Sequence, residues 1–293
     1  MRIIRIIGFA IAAAGVLTVG TEFRGTPGGL VSVVQAAQSG CSNNSLRGNY
    51  GFQIRGTIVG FGPIVGVALV TFDGGGNFTQ TDNVSVNGFP QMVNRPGSGT
   101  YSVNADCTGT QTLNSGGQVV HTTFVIAANG NQVFDEVTDP NLVITGIGKR
   151  VDSADDNENE DDDFSPLACS LHTIKGSYGI STTGSILAAG PVGLVADVGT
   201  ITFDGNGGAS QSTTVILNGM MILPNRMSLA GSSYTVNSDC TGELSITLPS
   251  PTHPIPSISR FVVVDGGNQL LLVNTGFGRA LAGVATRQHA RRR

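Results

Sequence analysis

The chain contains the same set of short motifs twice, in the same order, and this duplication limits its fold more than any other feature. The longest match pairs residues 101–109 (YSVNADCTG) with residues 234–242 (YTVNSDCTG). Earlier in each copy the sequence TFDG occurs, at 71–74 and again at 202–205. One domain written twice therefore accounts for most of the chain, and we expect the two copies to share one fold.

Within each copy, short runs rich in β-branched and aromatic residues alternate with turn sequences, which indicates strands joined by hairpins. The 293 residues include 42 glycines, about twice the usual share of roughly 7%. Several follow Asn or Asp, as at Asn87-Gly88, and this pairing suits tight hairpin turns that need positive φ. The first copy is predicted to contain strands at residues 49–56, 64–72, 77–86, 99–103, 110–113, 119–127, 132–138 and 142–149.

Eight successive hairpin-linked strands form a meander, and closing a meander into a barrel removes its exposed edges. The sequence therefore predicts an all-β protein of two tandem eight-stranded antiparallel up-and-down β-barrels, with β-sandwiches as the alternative. The predicted barrels span 41–151 and 167–288. The segment 152–166 between them is acidic enough for repulsion to keep it extended, so it is expected to be a solvated linker. Residues 289–293 form a basic tail.

The N-terminal residues 1–36 have the pattern of a secretory signal peptide, because Arg2 and Arg5 precede an apolar run that continues to Val19. This pattern predicts export. No later stretch is long and apolar enough to cross a bilayer as a helix, so no membrane span is expected. Charged residues make up only 12% of the chain and form no basic face, so nucleic acid is not an expected partner.

Four cysteines follow the predicted signal segment, and an even number in an exported chain predicts disulfides. Cys41 and Cys169 begin equivalent copies, whereas Cys107 and Cys240 occupy equivalent later positions. The repeat symmetry therefore favours the pairs Cys41–Cys107 and Cys169–Cys240. Each closes a long loop, which stabilises the fold by on the order of 4 kcal/mol.

The residues that could carry chemistry have simpler interpretations. Asp73 and Asp204 each end an apolar strand just before a glycine-rich turn. Asp106 and Asp239 lie beside cysteines, where their side chains can bond nearby backbone amides, so we interpret all four as turn residues. The four histidines do not recur between the copies, and no metal-binding His or Cys spacing exists. No catalytic residue, metal ligand or cofactor is therefore predicted.

The repeated motifs carry a resemblance to a known family. Both copies contain Cys-x(4)-Leu/Ile-x-Gly-x-Tyr-Gly, then Thr-Phe-Asp-Gly-x-Gly, then Tyr-x-Val-Asn-x-Asp-Cys-Thr-Gly. This pattern resembles bacterial secreted proteins of the allene oxide cyclase barrel-like type, over nearly all of the chain that follows the signal segment. The resemblance implies a lipocalin-like antiparallel barrel in a periplasmic, cell-surface or secreted protein. Plant allene oxide cyclases hold an unsaturated fatty-acid epoxide in an apolar barrel and direct its cyclisation, but no pocket residue of theirs is matched here.

Small barrels either fill with side chains or hold one small ligand. The leading expectation is therefore an exported, non-enzymatic protein that binds a small apolar ligand or serves as a surface or matrix module. The alternative that the resemblance implies is a cyclase or isomerase acting on a lipid-derived substrate. The inward set of the first strand is Tyr50, Phe52 and Ile54 in the first copy and smaller in the second, so the second barrel is expected to be roomier. Its candidate ligand contacts are Tyr178, Ile180 and Thr182. The sequence indicates no oligomeric state.

Overall fold

A computed structural model describes residues 40–152, 168–188, 192–249 and 255–289. The predicted signal peptide, residues 153–166 of the predicted linker and residues 290–293 of the tail lie outside these ranges. Strands make up nearly all the regular structure that is described, and the helical segments among these residues are short 3₁₀ turns at Asn43–Ser45, Ala128–Gly130 and Asp265–Gly267.

The first copy folds into a closed barrel in which every strand pairs with its neighbours in the sequence and β1 pairs with β8. All pairs are antiparallel, as hairpin connections require. The strands are β1 (Arg47–Ile58), β2 (Gly62–Asp73), β3 (Asn77–Val86), β4 (Phe89–Val103), β5 (Thr108–Ser115), β6 (Gln118–Ala127), β7 (Gln132–Val137) and β8 (Leu142–Arg150).

The fourth strand is much longer than the sequence predicts, because it begins at Phe89 instead of Gly99. The Asn87-Gly88 turn has positive φ at both residues, so the chain reverses at once and pairs with β3 immediately. The pairing with β3 is irregular opposite residues 82–85, and Asn94 has a left-handed backbone conformation. These irregularities accommodate the two prolines of this stretch. Prolines and glycines that suggest a loop thus lie within a bulged strand.

The second copy forms a nine-stranded sheet in which β9 pairs with both β10 and β17. Each of its strands has a counterpart in the first copy, except that two of them replace β4. The strands are β9 (Gly176–Ile186), β10 (Gly193–Phe203), β11 (Ala209–Leu217), β12 (Met220–Met227), β13 (Ser233–Val236), β14 (Thr241–Leu248), β15 (Ile255–Val264), β16 (Gln269–Asn274) and β17 (Arg279–Arg287).

The two ends of this sheet, β12 and β13, are successive pieces of chain separated by residues 228–232. Across the interruption the Ser228 amide donates to Gln211 O at 2.8 Å, and the Leu229 amide donates to Thr247 O at 2.8 Å. The sheet therefore curls until its ends meet, although the fourth strand is broken. The predicted all-β barrel architecture is confirmed, with a closed first barrel and a second sheet that is interrupted at one strand.

Both disulfides join residues of one copy, as the repeat symmetry predicts. Cys41 bonds Cys107, and Cys169 bonds Cys240, with Cα–Cα distances of 4.9 Å in each pair. Each ties the segment before the first strand to the turn after the fourth. Two disulfides favour an oxidising compartment outside the cytosol.

The two copies pack against each other through the outer surfaces of their strands. We call the outer surface of β1–β3 the first-strand face and the outer surface of β15–β17 the last-strand face. The contact joins the first-strand face residues Gly51, Gln53, Val65, Val67, Leu69 and Ser85 with the last-strand face residues Val262, Val264, Leu271, Val273, Ala280 and Val284.

Gly51 allows the close approach in this contact, because a Cβ there would lie 2.5 Å from Val264 Cγ1 and 2.8 Å from Val262 Cγ1. Gln53 provides a buried polar link, since its Nε2 donates to Leu272 O at 2.9 Å and to Gly283 O at 2.6 Å. The two copies thus share a buried interface and form one packed body.

Candidate functional site

The disulfide-bearing end of the first barrel is filled with aromatic side chains. The ring centroid of Phe72 lies 5.5 Å from that of Tyr50, 5.6 Å from that of Phe78 and 5.0 Å from that of Tyr101. Arg150 covers the outer side of this cluster, 5.1 Å from the Tyr50 ring centroid, and donates to the Tyr50 hydroxyl. Such pairing of aromatic rings and a guanidinium stabilises a packed plug at this end of the barrel.

The second copy repeats this plug. Tyr178 packs 5.5 Å from Phe203, measured between ring centroids, and Arg287 lies 4.7 Å from the centroid of the Tyr178 ring. Tyr178 is fully buried in the core and its hydroxyl donates to Gly267 O at 2.6 Å. The sequence did not single out either arginine, although Arg150 and Arg287 occupy the same position, at the end of the last strand of each copy.

The other half of the first barrel is a cavity of about 430 Å³. This volume lies within the range of roughly 300–1,000 Å³ that is usual for small-molecule sites. Phe61, in the connection between β1 and β2, lines the cavity and is 54% exposed, so it stands at the entrance. The apolar wall includes Ile54, Ile58, Ile64, Val84, Val86, Leu142 and Ile144.

Polar side chains also line the cavity, among them a charged pair on β3 and β4. Asp82 and Arg95 are direct neighbours across these strands, and Arg95 Nε and Nη2 donate to the two carboxylate oxygens at 2.9 and 2.8 Å. Gln80 Nε2 adds a third donor to Asp82 at 2.8 Å. The two charges neutralise each other in a bidentate pair, so neither calls for a partner from outside.

Asp135, on β7, is paired with no cation among the described residues. Its carboxyl lines the cavity, and its Oδ1 is fully buried without a hydrogen-bond partner among the described residues. The Thr122 hydroxyl, also in the cavity wall, is buried and unpartnered too. Burial raises the pKa of Asp135 to about 6, although the nearby amides of Asp135 and Gly146 act in the opposite direction. Gly146 makes room for this carboxyl, because a Cβ there would lie 2.0 Å from Asp135 Oδ1.

The interior of the second barrel is much smaller, with a cavity of about 60 Å³. Ile180 and Thr182 line it, whereas Tyr178 belongs to the plug. Thr182 donates to Asp197 at 2.7 Å, and burial raises the pKa of Asp197 while this bond and the charge of Arg226 lower it. The expected order of cavity sizes is therefore wrong, and ligand contact at Tyr178, Ile180 and Thr182 stays a prediction.

The difference in volume comes from strands other than the first. Leu244, Ile246, Leu248, Leu272 and Leu281 project into the second barrel. By repeat position, Leu272 replaces Asp135, because the motif of 130–133 matches that of 267–270. Leucine side chains thus fill the second barrel where the first is open.

The turn aspartates lie where the sequence indicates. Asp73 Oδ1 accepts hydrogen bonds from the amides of Gly75, Gly76 and Asn77 at 2.7–2.9 Å. Hydrogen bonds from the Asn77 side chain and amide lower the pKa of Asp73 to about 2. Asp204 accepts equivalent bonds from Asn206 and Gly208. These carboxylates organise turns at the protein surface, away from the cavity lining.

The described histidines form no cluster. His121 Nδ1 lies 2.8 Å from Asp139 Oδ1 at the surface. Within the described ranges, no group of three or more His, Cys, Asp or Glu side chains could hold a metal ion. The same residues include no helix with the length and apolar character needed to cross a membrane.

Comparison with known proteins adds little to this geometry. No family model matches the chain, and no curated protein matches it. The chain has a weak structural likeness to a β-barrel-like protein with a domain of unknown function (DUF1849) from Brucella abortus, with 10% sequence identity and a TM-score of 0.20. The match covers 83% of this chain and 98% of the other. A likeness at this TM-score supports no further conclusion.

Proposed function

We propose that the first barrel binds a small apolar molecule with a cationic amine at one end. The observation that carries this proposal is the Asp135 carboxyl, which lines a largely apolar cavity and has a buried Oδ1 without a hydrogen-bond partner among the described residues. A pocket with an apolar wall and a few convergent polar groups is the usual form of a small-molecule site. The apolar wall would contact the hydrocarbon part, and Asp135 would pair with the ammonium.

The charge balance of the cavity favours a cation over a fatty acid. The ionisable side chains in its described lining are Asp82, Arg95 and Asp135. Because the first two neutralise each other, the cavity carries one negative charge whenever Asp135 is ionised. A carboxylate ligand would meet repulsion there, whereas an ammonium would form a charge-assisted hydrogen bond.

The repeat shows that the fold does not require this carboxyl. The equivalent position in the second barrel is Leu272, which is 3% exposed and packs in the core. Burying a carboxylate without a partner costs free energy. The first barrel thus keeps a costly carboxyl in the larger of the two cavities, whereas the second barrel has leucine at the same position. This difference supports a binding role for Asp135.

Calorimetric titration of the full chain with octanol, octylamine and octanoate tests the proposal, since the three ligands share one chain length. We expect octylamine to bind roughly tenfold to a hundredfold more tightly than octanol, as one charge-assisted hydrogen bond implies, and octanoate to bind most weakly. The affinity for octylamine should fall as the pH drops through about 6, because Asp135 then becomes neutral. The affinity for octanol should not change.

Two pairs of variants make the test specific. Asp135→Asn should abolish the preference for the amine and keep octanol binding, whereas Asp197→Asn, at a buried carboxyl of the other barrel, should leave the preference intact. Ala68→Phe should fill the first cavity and weaken all binding. Thr235→Phe places the same side chain at an exposed strand position of the second copy and should not.

The outcomes separate site from ligand class. If octanol fails to bind, or Ala68→Phe leaves its binding unchanged, the first barrel is not the site. If octanol binds but octylamine binds no more tightly, or if Asp135→Asn retains the preference, the first barrel is a binding site but Asp135 does not select an amine.

Lipid-derived cyclase activity rests on the family resemblance alone, and nothing in the cavity favours it. Export rests on the signal pattern together with the two disulfides.

A further inference from the structure

The contact between the two copies uses one of the two faces that each copy possesses. Because both copies have the same fold, each possesses a first-strand face and a last-strand face. The internal contact joins the first-strand face of copy one to the last-strand face of copy two. The last-strand face of copy one (the outer surface of β6–β8) and the first-strand face of copy two (the outer surface of β9–β11) therefore lie outside this contact.

The unused last-strand face of copy one is apolar and exposed. Val125, Phe134 and Ile147 lie directly opposite one another on β6, β7 and β8 and are 41%, 42% and 43% exposed. Val143, on the same side of β8, is 66% exposed. Their counterparts by repeat position are Val262, Leu271, Val284 and Ala280, and all four lie in or against the buried core between the copies.

The unused first-strand face of copy two has the complementary features. Val198 and Ile216 are 62% and 40% exposed, at the positions equivalent to Val67 and Ser85. Gly179 takes the place of Gly51, and a Cβ added to it would meet only Thr286 O, at 3.9 Å. The glycine that lets the internal partner approach closely is thus retained where nothing among the described residues covers it.

We infer that the chain self-associates head to tail, with the last-strand face of copy one in one molecule against the first-strand face of copy two in the next. Such a contact repeats between molecules the arrangement that already holds the two copies together. It is heterologous, so it builds a ring if the rotation closes and a filament if it does not. This inference is independent of any ligand in the cavity.

The contact between molecules should be weaker than the internal one. Two counterpart positions are more polar, because Glu136 stands in place of Val273 and Thr200 in place of Leu69. The internal contact also gains from the covalent connection between the copies, which raises their effective concentration. Association is therefore expected to be reversible and to depend on protein concentration.

Sedimentation velocity of the full disulfide-bonded chain over a range of concentrations tests the inference, and we expect the mean mass to rise with concentration. Phe134→Glu and Val198→Glu each place a charge on one unused face and should each yield monomers, weakening association by at least about tenfold. Val59→Glu changes an exposed valine in the connection between β1 and β2, at one end of the barrel, and should leave association unchanged.

Mixing the two monomeric variants gives the decisive measurement. Phe134→Glu retains an intact first-strand face, and Val198→Glu retains an intact last-strand face, so the mixture should form one-to-one dimers and nothing larger. Ile147→Lys serves as a second variant of the last-strand face if circular dichroism shows that Phe134→Glu is unfolded. A wild-type chain that stays monomeric at every concentration, or variants that associate alone, would overturn the inference. So would a mixture that remains monomeric.

Discussion

Replacing Gln53 with leucine measures how strongly the two copies depend on each other. Gln53 Nε2 donates to the carbonyl oxygens of Leu272 and Gly283 across the contact, and its Oε1 accepts from Arg55 Nε at 3.1 Å. The side chain is only 8% exposed, so leucine gains little further burial. What the substitution removes is therefore mainly hydrogen bonding.

The two bonds across the contact join neutral groups and stabilise by about 0.5–1.5 kcal/mol each, so Gln53→Leu should lower the free energy of unfolding by roughly 1–3 kcal/mol. For a protein of this size that corresponds to a fall in melting temperature of roughly 2–12 °C. Urea unfolding monitored by circular dichroism measures the free energy directly, provided that the slope with denaturant is unchanged.

Gln269→Leu is the matched control, because the side-chain Nε2 of Gln269 donates to the Thr286 hydroxyl at 3.0 Å in an exposed pair. Removing an exposed pair should change stability by no more than about 0.5 kcal/mol. If both variants lose the same amount, or if Gln53→Leu loses nothing, the two Gln53 hydrogen bonds do not stabilise the contact between the copies. Loss of the first barrel alone, as an early separate transition, would show that the contact does not couple the two barrels.

Three further results are expected. The folded pKa of Asp135, about 6, exceeds the unfolded value of roughly 3.9, so stability should fall as the pH rises between these values. Asp135→Asn should remove this loss and be up to about 3 kcal/mol more stable than wild type at pH 8 in urea melts. Asp73→Ala should lower the melting temperature and Asp73→Asn should lower it less; the wild-type contribution should be full above pH about 4 and be lost progressively as the pH falls towards about 2, because the folded pKa lies below the unfolded value. Peptide mapping without reductant should find only disulfides within a copy, and reduction should cost on the order of 4 kcal/mol per bond.

The sequence predicts the strands well wherever turn chemistry is local. Asn87-Gly88 and the glycine-rich turn after Asp73 specify hairpins by themselves, because positive φ and side-chain acceptors act within a few residues. The fourth strand escapes prediction because its prolines are tolerated only through an irregular pairing with β3. That tolerance depends on the partner strand, which the local pattern does not contain.

The cavity was harder to predict, since it depends on all eight strands at once. The first strand alone suggests a roomier second barrel, yet Leu244 and Leu272 from other strands fill that interior. In the sequence Asp135 looks like an ordinary surface acid, because alternation along the strand would be expected to bury Phe134 and expose Asp135. The structure has the opposite orientation. The contact between copies did leave a signal, namely the continuous apolar run around Val65 and Val67, which is typical of strands buried on both faces.

Burial of β1–β3 on both faces divides the first barrel into a stiff wall and a deformable one. Strands covered on the inside by the core and on the outside by the other copy open only when the whole molecule opens, so their amides should exchange slowest with solvent. The turn between β5 and β6 lies at the cavity end of the barrel, with positive φ at both Gly116 and Gly117 and Gln118 in the cavity lining. A ligand that enters at the Phe61 end should therefore be admitted by local opening on the β5–β6 side of that end, because the β1–β3 side is held by the other copy. A partner bound to β6–β8 would stiffen that side and slow both entry and release.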